Sequence, residues 1–162
     1  MPLGSAETLA LAGMMGAGKS TVGRHLARLL GRRFVCTDAL VEARAGKPIA
    51  RVFEEDGEPA FRALERLVVA SLGGPLVVDL GGGAFCHAAS AEHLLRAGRV
   101  VFLDVSAGEA ARRIGATTHR PLAASWRPLL GHRLPLYRRA QLTVRVDGNA
   151  PEAVARRILG LL

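Results

Sequence analysis

Short apolar runs alternate along the whole chain with segments whose apolar residues recur every three or four positions. The first pattern predicts strands and the second predicts amphipathic helices. Strands are expected at Thr8–Gly13, Arg33–Cys36, Pro75–Leu80, Arg99–Val105 and Gln141–Val146. Helices are expected over about Lys19–Leu30, Ala39–Ala45, Ile49–Glu55, Ala60–Leu72, Ala91–Ala97, Gly108–Ile114 and Pro151–Leu162. Gly46 and Gly57 sit where two of these helices should stop, and Pro151 sits where the last should start. Five strands separated by helices imply an α/β fold, a parallel sheet covered on both faces. The segment from about Gly115 to Arg133, interrupted by proline and weakly periodic, is expected as a mobile loop. With no repeat and no linker, residues 1–162 are expected to form one domain.

Composition narrows the setting. Apolar residues make up 49% of the chain and aromatics only 4%, so the core must be built from Ala, Val and Leu. Two cysteines, Cys36 and Cys86, are too few for a disulfide framework and point to a reducing compartment. No apolar run approaches the ~20 residues of a membrane span. The opening M-P-L-G-S-A-E-T lacks the charged and apolar regions of a signal peptide. A cytoplasmic protein with no membrane partner is the expectation. The net charge of +8 raises nucleic acid as a partner. The arginines are scattered and unaccompanied by an aromatic ladder, which leaves nucleic acid a minor alternative. Lys19 and Lys47 are the only lysines in this arginine-rich chain, so a site at position 19 calls for a compact ammonium rather than a planar fork.

That lysine lies in G-M-M-G-A-G-K-S-T, residues 13–21, between the first strand and a helix. The run Gly13, Met14, Met15, Gly16, Ala17, Gly18, Lys19, Ser20, Thr21 fits the loop that wraps a triphosphate. Glycines let the backbone amides face the phosphate oxygens, and the helix directs its positive end at the same anion. Lys19 bridges the outer phosphates and the Ser20 hydroxyl is a magnesium ligand. A chance glycine turn is disfavoured by the strand–loop–helix context. The chain carries no N-K-x-D guanine motif. A small-molecule kinase is the expected class.

Four further stretches follow in order: T-D-A-L-V-E at 37–42, G-E-P-A-F-R-A-L-E at 57–65, L-G-G-G-A at 80–84, and R-L-P-L-Y at 133–137 preceded by H-R-P-L at 119–122. With the phosphate loop, they make the chain resemble shikimate kinase over essentially its whole length. The resemblance implies a three-layer α/β/α sandwich with strand order 2-3-1-4-5, a lid at about 115–133 and an acceptor-binding region at about 38–65. It implies transfer of the γ-phosphoryl of ATP to the 3-hydroxyl of shikimate with Mg2+. By the same resemblance, Asp38 holds the acceptor's hydroxyls and draws off a proton, and Arg62 and Arg133 clamp its carboxylate. Gly81, Gly82 and Gly83 line the same ligand, Arg120 reaches over the phosphates and Arg113 packs against adenine.

The chemistry of the residues agrees with these roles. One carboxylate and several hydroxyls are complemented by guanidinium forks, an aspartate and exposed amides. Phosphoryl transfer demands mainly alignment and charge neutralisation, which Lys19, Arg120 and a metal supply. Each residue also has a plainer reading. Arg62 and Glu65, three apart on a helix, would make a surface pair, although Glu65 is expected to orient Arg62. Arg113 and Arg133 would singly be surface charge, and a triple glycine also suits a tight turn. His25, His87, His93, His119 and His132 have no metal-ligand spacing, and Trp126 and Tyr137 read as packing residues.

Two features depart from the family's pattern. Cys36 stands where the family usually has the first aspartate of Asp-x-Asp, and a thiol is a poor partner for a hard cation. Asp79, at the end of the third strand, is expected to carry the metal-organising role instead; the plainer alternative is an acceptor of hydrogen bonds from the neighbouring turns. The lid is short, so Arg127 competes with Arg120 as its arginine, Arg120 being preferred. Two other classes stay open at this level: a non-catalytic nucleotide-binding protein, and a kinase for another polyol acid such as gluconate. A monomer is expected.

Overall fold

The computed structural model describes residues 2–115 and 123–162. Five strands, β1 (Thr8–Ala12), β2 (Arg33–Cys36), β3 (Leu76–Asp79), β4 (Gly98–Asp104) and β5 (Leu142–Arg145), form one parallel sheet in the order β2-β3-β1-β4-β5. Between them run α1 (Lys19–Leu30), α2 (Thr37–Ala45), α3 (Ile49–Asp56), α4 (Glu58–Ala70), α5 (Ala88–Ala97), α6 (Ala107–Gly115) and α7 (Ala123–Tyr137), with α8 (Pro151–Leu161) at the end. All five residues of β1 are buried, as a central strand covered on both faces requires. Helices α1 and α8 pack together in one layer, and α4 and α5 in the other. The expected sandwich and strand order are therefore present.

The core reflects the composition. Leu9, Leu11, Val77, Val78, Val100, Val101 and Leu103 are fully buried sheet residues, and helices contribute Val22, Leu26, Val69, Leu94 and Ile158. A smaller cluster, Val41, Val52, Phe61 and Val68, holds α2, α3 and α4 together. That cluster fixes the three helices relative to one another.

Element boundaries follow the sequence reading closely, with three differences. Helix α2 begins at Thr37 rather than Ala39, which puts Asp38 in a first helical turn, where the helix dipole favours a carboxylate. Helix α5 begins at Ala88, after a 3-10 turn over Ala84–Cys86 that the pattern did not reveal. The third difference is larger. Residues 123–133, part of the segment expected as a loop, belong to α7. Pro128 and Pro135 lie inside that helix, where each removes a backbone bond. Trp126, Leu130, Leu134 and Tyr137 nevertheless recur at helical spacing and pack into the core, and this burial holds the helix. Arg120 and His119 lie outside the described residues.

Candidate active site

The loop after β1 is shaped by glycines. Gly16 and Gly18 have φ of 87° and 88°, in the left-handed region that other residues rarely enter. A Cβ on Gly13 would lie 2.7 Å from the Leu103 carbonyl oxygen on β4. The loop therefore lies tight on the sheet edge and runs directly into α1, with Gly18 as its N-cap. The Lys19 ammonium donates to the carbonyls of Gly13 (2.9 Å) and Met14 (3.2 Å). Burial pulls its pKa below the usual lysine range, opposed by the nearby charges of Asp79 and Asp38.

Next to Lys19, the Ser20 hydroxyl donates to Oδ2 of Asp79. Asp79 ends β3, is 6% exposed, and is the register partner of Cys36 at the end of β2. Burial pushes the Cys36 thiol above its ordinary pKa, and the Asp79 charge adds to this. Thr37, fully buried, joins the two strand ends: its hydroxyl accepts from the Gly81 amide at 2.7 Å and donates to the Asp79 carbonyl at 3.4 Å.

The acceptor-side residues converge on Gly81–Gly82–Gly83. None of these glycines has positive φ, so the turn needs them for space. A Cβ on Gly81 would meet Asp38 Oδ1 at 2.5 Å, and one on Gly82 would meet Arg133 Nη1 at 2.7 Å. One on Gly83 would collide with the Arg62 guanidinium. Each glycine thus faces one of the three side chains that the sequence reading singled out. Arg62 is held from below by Glu65, with Nη1 to Oε1 at 2.8 Å, and by Glu58 at 3.5 Å. Glu65 is 4% exposed. Desolvation raises its pKa, with the Asp38 charge adding and Arg62 opposing.

The family model described as shikimate kinase matches residues 15–162. The chain belongs to the shikimate kinase family. It is accordingly an ATP-dependent phosphotransferase. It is 48% identical over 163 residues to a shikimate kinase of Mycobacterium avium, covering 94% of this chain and 91% of that protein. It is likewise 48% identical over 157 residues to one of Thermobifida fusca, covering 91% and 90%. The structure of the Acinetobacter baumannii shikimate kinase in complex with shikimate superposes with a TM-score of 0.89 at 39% identity, covering 96% of this chain and 92% of that one.

In this shikimate kinase family member the structure gives the surroundings of Arg113 and Tyr137, both named from the sequence, and brings Asn149 and Pro151 to the same region. Arg113 lies beside the phosphate loop, donating to the Gly16 carbonyl at 3.1 Å and pairing with Glu109 at 2.9 Å. It borders an open cleft of about 510 Å³ lined also by Gly18, Thr21, Asn149 and Pro151. Pro151 carried a helix-start signal and nothing more. Tyr137, fully buried, donates its hydroxyl to the Gly82 carbonyl and lies 3.6 Å from the Met14 sulfur. Its motif position was visible, its role between two loops was not. Arg127 is exposed on α7. Among the described residues no cluster of three or more His, Cys, Asp or Glu is arranged to hold a metal, and no helix is long and apolar enough to cross a membrane.

Proposed function

We propose that the protein transfers the γ-phosphoryl of ATP to the 3-hydroxyl of shikimate, as a magnesium-dependent monomeric enzyme of the cytoplasm. One observation carries the reading: Asp38, Arg133 and Arg62 face three consecutive glycines at a sheet edge shared with the phosphate loop. That corner presents two cations, one carboxylate and open backbone to a small polyhydroxy acid, beside a cradle for a triphosphate.

Residues 13–21 wrap the phosphates, with Lys19 neutralising the outer ones as charge moves in the transition state. Arg113 and the cleft beside it receive the adenine. Arg62 and Arg133 bind the acceptor carboxylate as paired forks, and Glu65 holds Arg62 in place. Gly81, Gly82 and Gly83 allow the ligand close to the main chain. Asp38 accepts the hydroxyl hydrogen, which aligns the oxygen for in-line attack and gives its proton somewhere to go. Arg120 is assigned the lid position over the phosphates by its motif alone.

The residues present suit magnesium. A nucleotide-bound Mg2+ takes most of its oxygen ligands from phosphate and water and needs only one or two from protein. The Ser20 hydroxyl and the Asp79 carboxylate, hydrogen-bonded to each other at the loop, supply that pair. When bound, the metal neutralises phosphate charge and orients the transferred group.

Purified protein should release ADP from ATP in proportion to added shikimate, and only with magnesium present. ADP release that ignores shikimate, or that follows gluconate equally well, would reject this acceptor.

A further inference from the structure

The carbonyls of the phosphate loop are pinned one by one. Lys19 takes those of Gly13 and Met14, and Arg113 takes that of Gly16. The carbonyl of Met15 is taken by the indole Nε1–H of Trp126, at 3.1 Å, from α7 on the far side of the chain. Trp126 is 4% exposed and packed into the main core, so its ring is not free to swing away. It is also the only tryptophan in the chain.

A trans peptide points its C=O and its N–H in opposite directions. Fixing the Met15 carbonyl outward onto the indole therefore aims the Gly16 amide hydrogen the other way, toward the cradle. Without that donor the 15–16 peptide is free to rotate and present an oxygen to an anion. Gly16, at φ 87°, offers little resistance to such a flip. We infer that Trp126 is a positioning residue for ATP: its indole N–H holds the Met15–Gly16 peptide in the phosphate-binding orientation. Through it, α7 has a hydrogen bond to the donor loop, while Tyr137 and Arg133 of the same helix face the acceptor turn.

The inference rests on the assignment of this loop to the triphosphate. Trp126→Phe keeps the ring in the core and removes the donor. A roughly fivefold to tenfold rise in the KM for ATP is expected, the worth of one lost buried hydrogen bond. The KM for shikimate should stay within about twofold, a split that general loosening of the core would not produce. In the wild-type protein, tryptophan emission should shift as ATP is titrated. An unchanged KM for ATP in folded Trp126→Phe, equal losses for both substrates, or emission indifferent to saturating ATP would each overturn the inference. Should the variant not fold, the wild-type emission titration decides alone. Failure of the proposed function looks different: emission responds to ATP while no ADP is released with shikimate.

Discussion

Cys36 and Asp79 are register partners on adjacent parallel strands, and the Asp79 carboxylate accepts the Ser20 hydroxyl. Paired residues of neighbouring parallel strands project to the same face of a sheet. A carboxylate at 79 therefore occupies the same corner as one at 36 would, one strand closer to β1 and the phosphate loop. The raised pKa of Cys36 keeps its sulfur as a neutral thiol, which competes poorly for a hard cation. Cys36 and Asp79 thus share one corner, the placement that an exchange of a carboxylate across one strand pairing requires.

The exchange predicts a specific pattern of loss and rescue. Asp79→Ala should reduce kcat by roughly 100-fold, the scale of losing one preorganised electrostatic partner, while shikimate binding measured by calorimetry is largely kept. The double change Cys36→Asp with Asp79→Ser should recover much of the activity, because it returns an oxygen ligand to the same corner. Near-normal turnover in Asp79→Ala would leave Asp79 as a mere acceptor for Ser20.

The three glycines predict a loss confined to one substrate. Gly82→Ala places a methyl group 2.7 Å from Arg133 Nη1. The guanidinium must move, since Tyr137 fixes the Gly82 carbonyl from the other side. The KM for shikimate should rise at least about tenfold, with little loss of stability, because the atom that gives way is the far end of a flexible side chain. The KM for ATP should be nearly unchanged. Steady-state kinetics with each substrate varied in turn checks this.

Most of the sheet was legible because each strand is a short apolar run bounded by turn residues, and because the phosphate loop fixes where β1 ends and α1 begins. The residues that converge on Gly81–Gly83 were legible through motif context: singly, Arg62 and Arg133 look like surface charge. What sequence hid was of two kinds. The α7 stripe of Trp126, Leu130, Leu134 and Tyr137 was obscured by Pro128 and Pro135, since local propensity argues against a helix that tertiary burial sustains. Contacts across great separations were hidden as well. Trp126 and Met15 are 111 positions apart, and no local pattern carries a hydrogen bond of that kind.

Glu65 predicts a pH signature in stability. Its folded pKa is raised by burial above the ordinary 4.5. The unfolded chain therefore loses the proton first as pH rises. The stability this group contributes is complete below the unfolded pKa and is lost as pH climbs through the folded one. Glu65→Gln removes that dependence. The stability of wild type relative to Glu65→Gln should thus fall as pH is raised from about 4.5, read by urea denaturation at several pH values. The same variant should raise the KM for shikimate, because Arg62 loses the 2.8 Å bond that orients it.

Arg62 and Arg133 approach the glycine turn from two helices, α4 and α7, so they are independent supports for one ligand group. Lysine at either position keeps the charge and loses the planar fork. Arg62→Lys and Arg133→Lys should each raise the KM for shikimate by roughly 10–100-fold, as expected for a charge-assisted hydrogen bond worth about 1.5–3 kcal/mol. If both forks hold the same carboxylate, the double variant should cost less than the product of the single losses, because the second change removes contacts that the first has already disordered. Independent losses that multiply would place the two arginines on different parts of the acceptor. Arg62→Lys should also raise the pH at which Glu65 influences stability less than Arg62→Ala does, since a lysine still offers Glu65 a cation that opposes the rise in its pKa. Measuring the two variants across the same pH series separates the clamp on the substrate from the pairing beneath it.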